Sequence, residues 1–106
     1  MTHRIQYNTR ISIDSATFTG SFQSIGILSD DAILVKIVNN SGVDIDVSID
    51  GTNSVDFVPA NSFVLYDIQT NHGFERKFAF PKNTNFFVKG TASTGSVYLV
   101  SFSERK

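Results

Sequence analysis

From residue 32 onward the chain is a succession of short two-residue alternations. In Ala32-Ile33-Leu34-Val35-Lys36-Ile37-Val38 every position but Lys36 is apolar, which predicts a strand covered on most of both faces. Ile33, Val35, Ile37 and Val38 are β-branched, so a strand is favoured over a buried helix. The run stops at Asn39-Asn40-Ser41-Gly42, a turn-like cluster. The next segment, Val43-Asp44-Ile45-Asp46-Val47-Ser48-Ile49-Asp50, alternates without a slip. It places Val43, Ile45, Val47 and Ile49 on a core face and Asp44, Asp46, Ser48 and Asp50 in water. The two segments and the turn between them read as a β-hairpin. A charge should then be costly at Val47 and tolerated at Ser48.

The same grammar predicts strands at 54–58, 63–68, 74–80, 85–89 and 97–102, with Pro59-Ala60-Asn61, residues 69–73, Pro81 and residues 91–95 as breaks. In the last strand Val97, Leu99 and Ser101 share one face, and Tyr98, Val100 and Phe102 the other. Before residue 32, the stretches 10–14, 16–19 and 22–25 also alternate, but with more Ser and Thr and sparser apolar positions. Many short strands at regular spacing predict an all-β protein, a single small antiparallel sandwich or barrel-like domain. Residues 32–106 form its core, and residues 1–31 are an extended N-terminal segment of strands, or an arm, packed on the domain or on a neighbour. In the arm reading Ile5, Ile11, Ile13, Phe18, Phe22 and Ile25 gain burial from a partner, and Asp44, Asp46 and Asp50 add a polar contact. Removing the first 30 residues should then leave a domain that unfolds cooperatively but does not assemble.

A length of 106 residues suits one domain, and such a chain buries about two-thirds of its unfolded surface without staples. There is no cysteine, so thiol catalysis, thiolate zinc and disulfides are excluded. Nine basic against ten acidic side chains is too balanced for a protein whose main affinity is for phosphate backbones. Direct nucleic-acid binding is not expected. No apolar stretch reaches the length of a spanning helix or resembles a secretory signal, so no membrane association is expected either.

Candidate chemistry is thin. Asp46, Ser48, Asp50 and Gly51 imitate the start of a calcium loop, but the position that needs a bidentate Glu is Phe57; solvated carboxylates that discourage edge pairing explain the stripe better. His72 and His3 are the possible neutral-pH bases, yet no Ser lies in a nucleophile elbow. Gly-rich phosphate cradles are absent. The basic and aromatic mixtures at 74–78 and 86–89 fit core Phe with charged rims better than stacking platforms. Asn39-Asn40-Ser41 is a formal glycosylation sequon that reads as a turn. No catalytic residue, cofactor or metal is expected. A carbohydrate- or receptor-binding module is the alternative in another class, with Tyr7, Tyr66 and Tyr98 as platforms and no Trp to help.

Across residues 36–102 the chain resembles small structural proteins of tailed bacteriophages. The matching stretches are Ile37-Val38-Asn39-Asn40-Ser41, residues 44–51, residues 57–65, and Val88-Lys89-Gly90 through Gly95-Ser96-Val97-Tyr98. The resemblance implies a small β-sandwich of the virion, made in the host cytoplasm and placed at the head-to-tail neck or connector, or alternatively decorating the capsid. Its implied partners are portal, connector, capsid or tail subunits and copies of itself in a ring or lattice.

Overall fold

In the computed structural model, which describes residues 4–67 and 80–105, the alternating segments pair into two antiparallel sheets. The strands are β1 (Arg4–Tyr7), β2 (Ile11–Asp14), β3 (Gln23–Ile27), β4 (Leu34–Ser41), β5 (Ile45–Ser48), β6 (Asp56–Val58), β7 (Ser62–Asp67), β8 (Asn85–Lys89) and β9 (Gly95–Arg105). Sheet A runs β1, β9, β4, β7, and β2 lies end to end with β1 along the same edge of β9. Sheet B runs β3, β8, β5, β6. With β1 and β2 sharing one lane, this is the connectivity of a jelly roll, an all-β sandwich in which most connections cross from one sheet to the other.

The inward residues of each sheet close a single core. Val35 and Ile37 of β4 and Val97 and Leu99 of β9 meet Ile45 and Val47 of β5, Val58 of β6, and Phe86 and Val88 of β8. Ile25, Phe18 and Leu28 complete it from the N-terminal part of the chain. Burial of each such side chain is worth about 1.5–3 kcal/mol, so residues 11–28 are energetically part of this domain. Phe80, which forms a bridge with Ala32, packs edge-on against Phe86 with ring centroids 5.5 Å apart.

Several expectations are corrected. Segments 33–38 and 43–50 do not form a hairpin, because β4 belongs to sheet A and β5 to sheet B. The supposed turn residues Asn39, Asn40 and Ser41 continue β4, opposite Val97, Ser96 and Gly95 of β9. What carries the chain across is Asn39, fully buried at an inward position. Its side-chain amide donates to the carbonyls of Val43 at 2.8 Å, Val58 at 3.1 Å and Pro59 at 3.1 Å, and its own oxygen accepts from the Ser41 hydroxyl at 2.6 Å. These bonds tie the backbone of the sheet-to-sheet corner together, in addition to the ladder pairing of Val58 with Ile45 and the bond from the Ser41 hydroxyl to the Val43 carbonyl.

In β5, Ile45 and Val47 face the core and Asp44 and Asp50 face water, as the alternation predicts, but the strand ends at Ser48 and Ile49 is half exposed. Ser48 is fully buried, so it is no place for a charge. Its hydroxyl accepts from the N–H groups of Asp50 and Gly51 and donates to the Asp50 carboxylate, which folds the following turn back over the sheet. Residues 16–19 are not a strand either. Asp14 caps a 3-10 turn at Ser15–Thr17 by accepting from the Ala16 N–H at 2.9 Å, the local competition with extended backbone for which Asp is suited. The strand and loop expected at 74–80 and 69–73 lie outside the described residues except for Phe80, as do His3 and His72.

Candidate functional site

Cross-strand partners share a face of a sheet, and the registers of sheet A therefore lay out its outer surface. Tyr7 stands opposite Phe102, which stands opposite Leu34. Val100 faces Lys36, and Lys36 faces Leu65. Tyr98, Val38 and Phe63 form the next row. Because the intervening residues of β4 and β9 fill the core, all of these side chains point outward. Phe63 is 62% exposed, Leu65 47% and Tyr7 76%, so an apolar surface spans the width of the sheet. The result corrects the expectation for segment 32–38. Its strand is apolar on both faces, but the domain covers one face only.

Two cations sit on this surface. The Arg10 guanidinium lies 4.9 Å from the centroid of the Tyr98 ring and the Lys36 ammonium 5.6 Å from that of Phe63, each attracted by the negative face of the ring. Together with Asn40 and Asn61 they border an open depression of about 400 Å³.

The outer face of sheet B has a different chemistry. Lys89, Asp46 and Phe57 form one row across β8, β5 and β6. Lys89 approaches the Asp46 carboxylate at 3.9 Å and lies 4.8 Å from the centroid of the Phe22 ring. Phe57 is 53% exposed. Asp44 accepts the Ala60 N–H at 2.9 Å, tying the β6–β7 turn to this face. Asp50 accepts from the N–H groups of Asn53 and Thr52, both at 2.8 Å, and from the Asn53 amide and the Ser48 hydroxyl. These donors, the Asn53 N–H first, hold its carboxyl far below the usual carboxylate range. Asp50 is thus the cap of a turn, and Asp46 is the stripe carboxylate without a backbone hydrogen bond among those described.

Asp46, Ser48 and Asp50 do not converge as a calcium loop would require. Asp46 turns to Lys89, Ser48 is buried, and Asp50 serves its own turn. Among the described residues no three His, Cys, Asp or Glu side chains gather as metal ligands would. The tyrosines do not form a common platform. Tyr66 points inward and donates to Asp56 at 2.6 Å, its hydroxyl pKa pushed up by burial and by that carboxylate. Tyr98 carries Arg10 over its ring.

The residues expected to seek burial on a neighbour have different fates. Phe18 and Ile25 are 4% exposed in the domain's own core and are not available to a partner, a correction that for Ile25 follows from the pairing of β3 with β8 and for Phe18 from the 3-10 turn that delivers it to the same core. Ile11 and Ile13 are partly buried against the same core. Phe22 is half-buried under Lys89, and Ile5 sits in β1 opposite Glu104. The surface that does lack cover, built around Phe63, Leu65, Tyr98 and Val100, was not singled out from sequence. The signal for it is the run of apolar residues at both parities in Phe63-Val64-Leu65-Tyr66 and in Val97-Tyr98-Leu99-Val100.

No protein-family model matches the chain, and no curated protein matches it. Among solved structures, a chain from work described as "Bacillus endospore appendages form a novel family of disulfide-linked pili" shares the fold. The likeness has a TM-score of 0.50 at 14% identity, over 100% of this chain and 91% of the other. At that identity it concerns the fold alone, and with no cysteine here a disulfide link has no counterpart in this sequence.

Proposed function

We propose that this chain is a non-enzymatic structural subunit of a protein assembly, specifically a virion component of a tailed phage at the head-to-tail neck or connector, with capsid decoration as the other position in the same class. The observation that carries the assembly reading is the outer face of sheet A. Three neighbouring strands are apolar on both faces, one of those faces is left in water, and contiguous exposed apolar surface of this kind marks interaction sites. The phage placement rests on the resemblance over residues 36–102. That a chain of the same fold belongs to pili is an instance of the sandwich serving as a polymer unit. A carbohydrate-binding module has less support, because the cation over Tyr98 occupies the ring face a sugar would stack on.

The experiment is quantitative mass spectrometry of particles purified from the native source, together with the identity of the flanking genes. The expected result is a fixed stoichiometry with portal, connector, capsid or tail proteins. A chain absent from particles and retained on a glycan array would overturn the proposal in favour of the carbohydrate-binding module.

A further inference from the structure

Backbone pairing in sheet A alternates sides along each strand. Gly42, just past β4, donates its N–H to the carbonyl of Thr94, just before β9, at 3.3 Å, and Asn8 donates to the Ser101 carbonyl from the other side of β9 at 3.0 Å. Antiparallel neighbours exchange bonds at every second position, so the even-numbered residues of β4 turn to β9, and Val35, Ile37 and Asn39 turn to β7. Their partners in β7 are Tyr66, Val64 and Ser62. The N–H and C=O groups of Phe63 and Leu65 therefore point away from β4, over the outer edge of the sheet, where no strand among the described residues pairs with them.

The other edges of the sandwich carry devices that discourage strand addition. On the far side of sheet A, β1 and β2 are four residues each and are interrupted between Tyr7 and Ile11. In sheet B, β3 is bulged between Ser24 and Gly26, and β6 is three residues long, opens on Asp56 and is followed by Pro59. By contrast β7 runs six residues in unbroken register with β4, and Ser62-Phe63-Val64-Leu65-Tyr66 contains no Pro, Gly or charged residue. We infer that β7 pairs antiparallel with β7 of a second copy of this chain across a twofold axis, joining the two A sheets into one. The inference deepens the assembly reading and rests on it, but not on the virion placement.

The register follows from the sequence of the edge. An axis at Val64 sets Phe63 opposite the partner's Leu65, so the residues whose backbone groups point outward exchange both bonds. Their side chains, 62% and 47% exposed in the single chain, then cover each other across the seam as an aromatic and aliphatic pair. The same register sets Ser62 opposite the partner's Tyr66 and Asp67 opposite the partner's Asn61, and no like charges meet. Moving the axis to Leu65 would set Phe63 against the partner's Asp67, and moving it to Phe63 would set Leu65 against the partner's Asn61. Such a contact is isologous, so it closes at the dimer.

The test is sedimentation velocity on the full chain over a range of concentrations, with circular dichroism melts to show that each variant is folded. Wild type should pass from monomer to dimer and no further. Leu65→Pro removes an N–H that points away from β4, a place where an edge strand tolerates Pro, and it should need at least about tenfold more protein to dimerise, because the twofold axis loses that bond at both ends. The register is tested by two double variants at exposed positions. F63K/L65E sets Lys beside the partner's Glu twice, F63K/L65K sets Lys beside Lys twice, and the first should dimerise at a concentration at least about tenfold lower than the second. The inference is wrong if wild type is monomeric throughout, if it forms species larger than a dimer, if folded L65P dimerises as wild type does, or if the two double variants behave alike. A monomeric wild type that is a stoichiometric component of particles would overturn the edge pairing and leave the structural role. A dimer with this charge pattern from a chain absent from particles would keep the pairing and remove the virion placement.

Discussion

Asn39 shows how much one polar side chain can decide. Its amide holds three carbonyls, of Val43, Val58 and Pro59, at the point where the chain leaves sheet A for sheet B. Asn39→Ala should cost about 2 kcal/mol, since it removes a buried amide that ties three carbonyls of the corner, and hydrogen-bonding capacity lost in a buried site is worth about 1–3 kcal/mol. Asn39→Asp should cost more, because a carboxylate would face those carbonyls with no proton to give. Denaturant titration of the three proteins checks the order. Asp50 works at the same scale through its charge. Its folded pKa lies below its unfolded one, so the stabilisation is complete above the unfolded carboxylate value of about 3.9 and is lost as pH falls through the folded value. The denaturation midpoint of wild type should therefore drop below about pH 4. Asp50→Asn should be less stable at pH 7 and show a shallower acid limb, and equal slopes for the two proteins would refute this role for the carboxylate.

Among the elements, β4 and β9 form the longest pairing, and its closing end depends on a glycine. Gly95 has φ +92° and lies against β4 so closely that a Cβ would overlap the Asn40 carbonyl oxygen. Gly95→Ala should cost at least about 3 kcal/mol, combining backbone strain with a displaced ladder. Gly20 also has a positive φ, +86°, but nothing lies within 4 Å of where its Cβ would be, so Gly20→Ala should cost only about 1 kcal/mol. Thermal melts of the two variants separate conformational strain from close approach. Near-equal losses would mean that β9 can shift away from β4 at little cost. The hairpin expected from residues 33–50 fails at this scale for a related reason. Alternation specifies that two segments are strands, but the pairing partner is chosen by the register of β4 against β7 and β9, which are distant in sequence.

For the whole molecule the main consequence concerns the first residues. Deleting residues 1–31 removes Phe18, Ile25 and Leu28 from the core and strips β3 from sheet B and β1 and β2 from sheet A. Three large core side chains amount to about 5–9 kcal/mol of burial, comparable to the whole stability of a small domain. The truncated chain should therefore show no cooperative unfolding transition by circular dichroism, the reverse of what an arm would allow. A cooperative melt of the truncated chain would return these residues to the role of an arm.

The alternation of residue types by itself determined that the protein is all-β, where the strands at 85–89 and 97–102 lie, and that Ile45 and Val47 face inward, because side-chain direction in a strand has a strict period of two. It also contained the doubled apolar pattern of 33–38 and 97–102, though not its meaning. A strand apolar on both faces reads the same whether its second face is covered by its own chain or by another. Only the tertiary structure decided that. By sending β5 to the opposite sheet and placing β4 between β7 and β9, it left Phe63 and Leu65 exposed and Val38, Tyr98 and Val100 only partly covered, and it put Phe18 and Ile25 inside. Local sequence carries the period of each strand, but the layer that covers a face is a contact between residues far apart in the chain, and no local pattern encodes it.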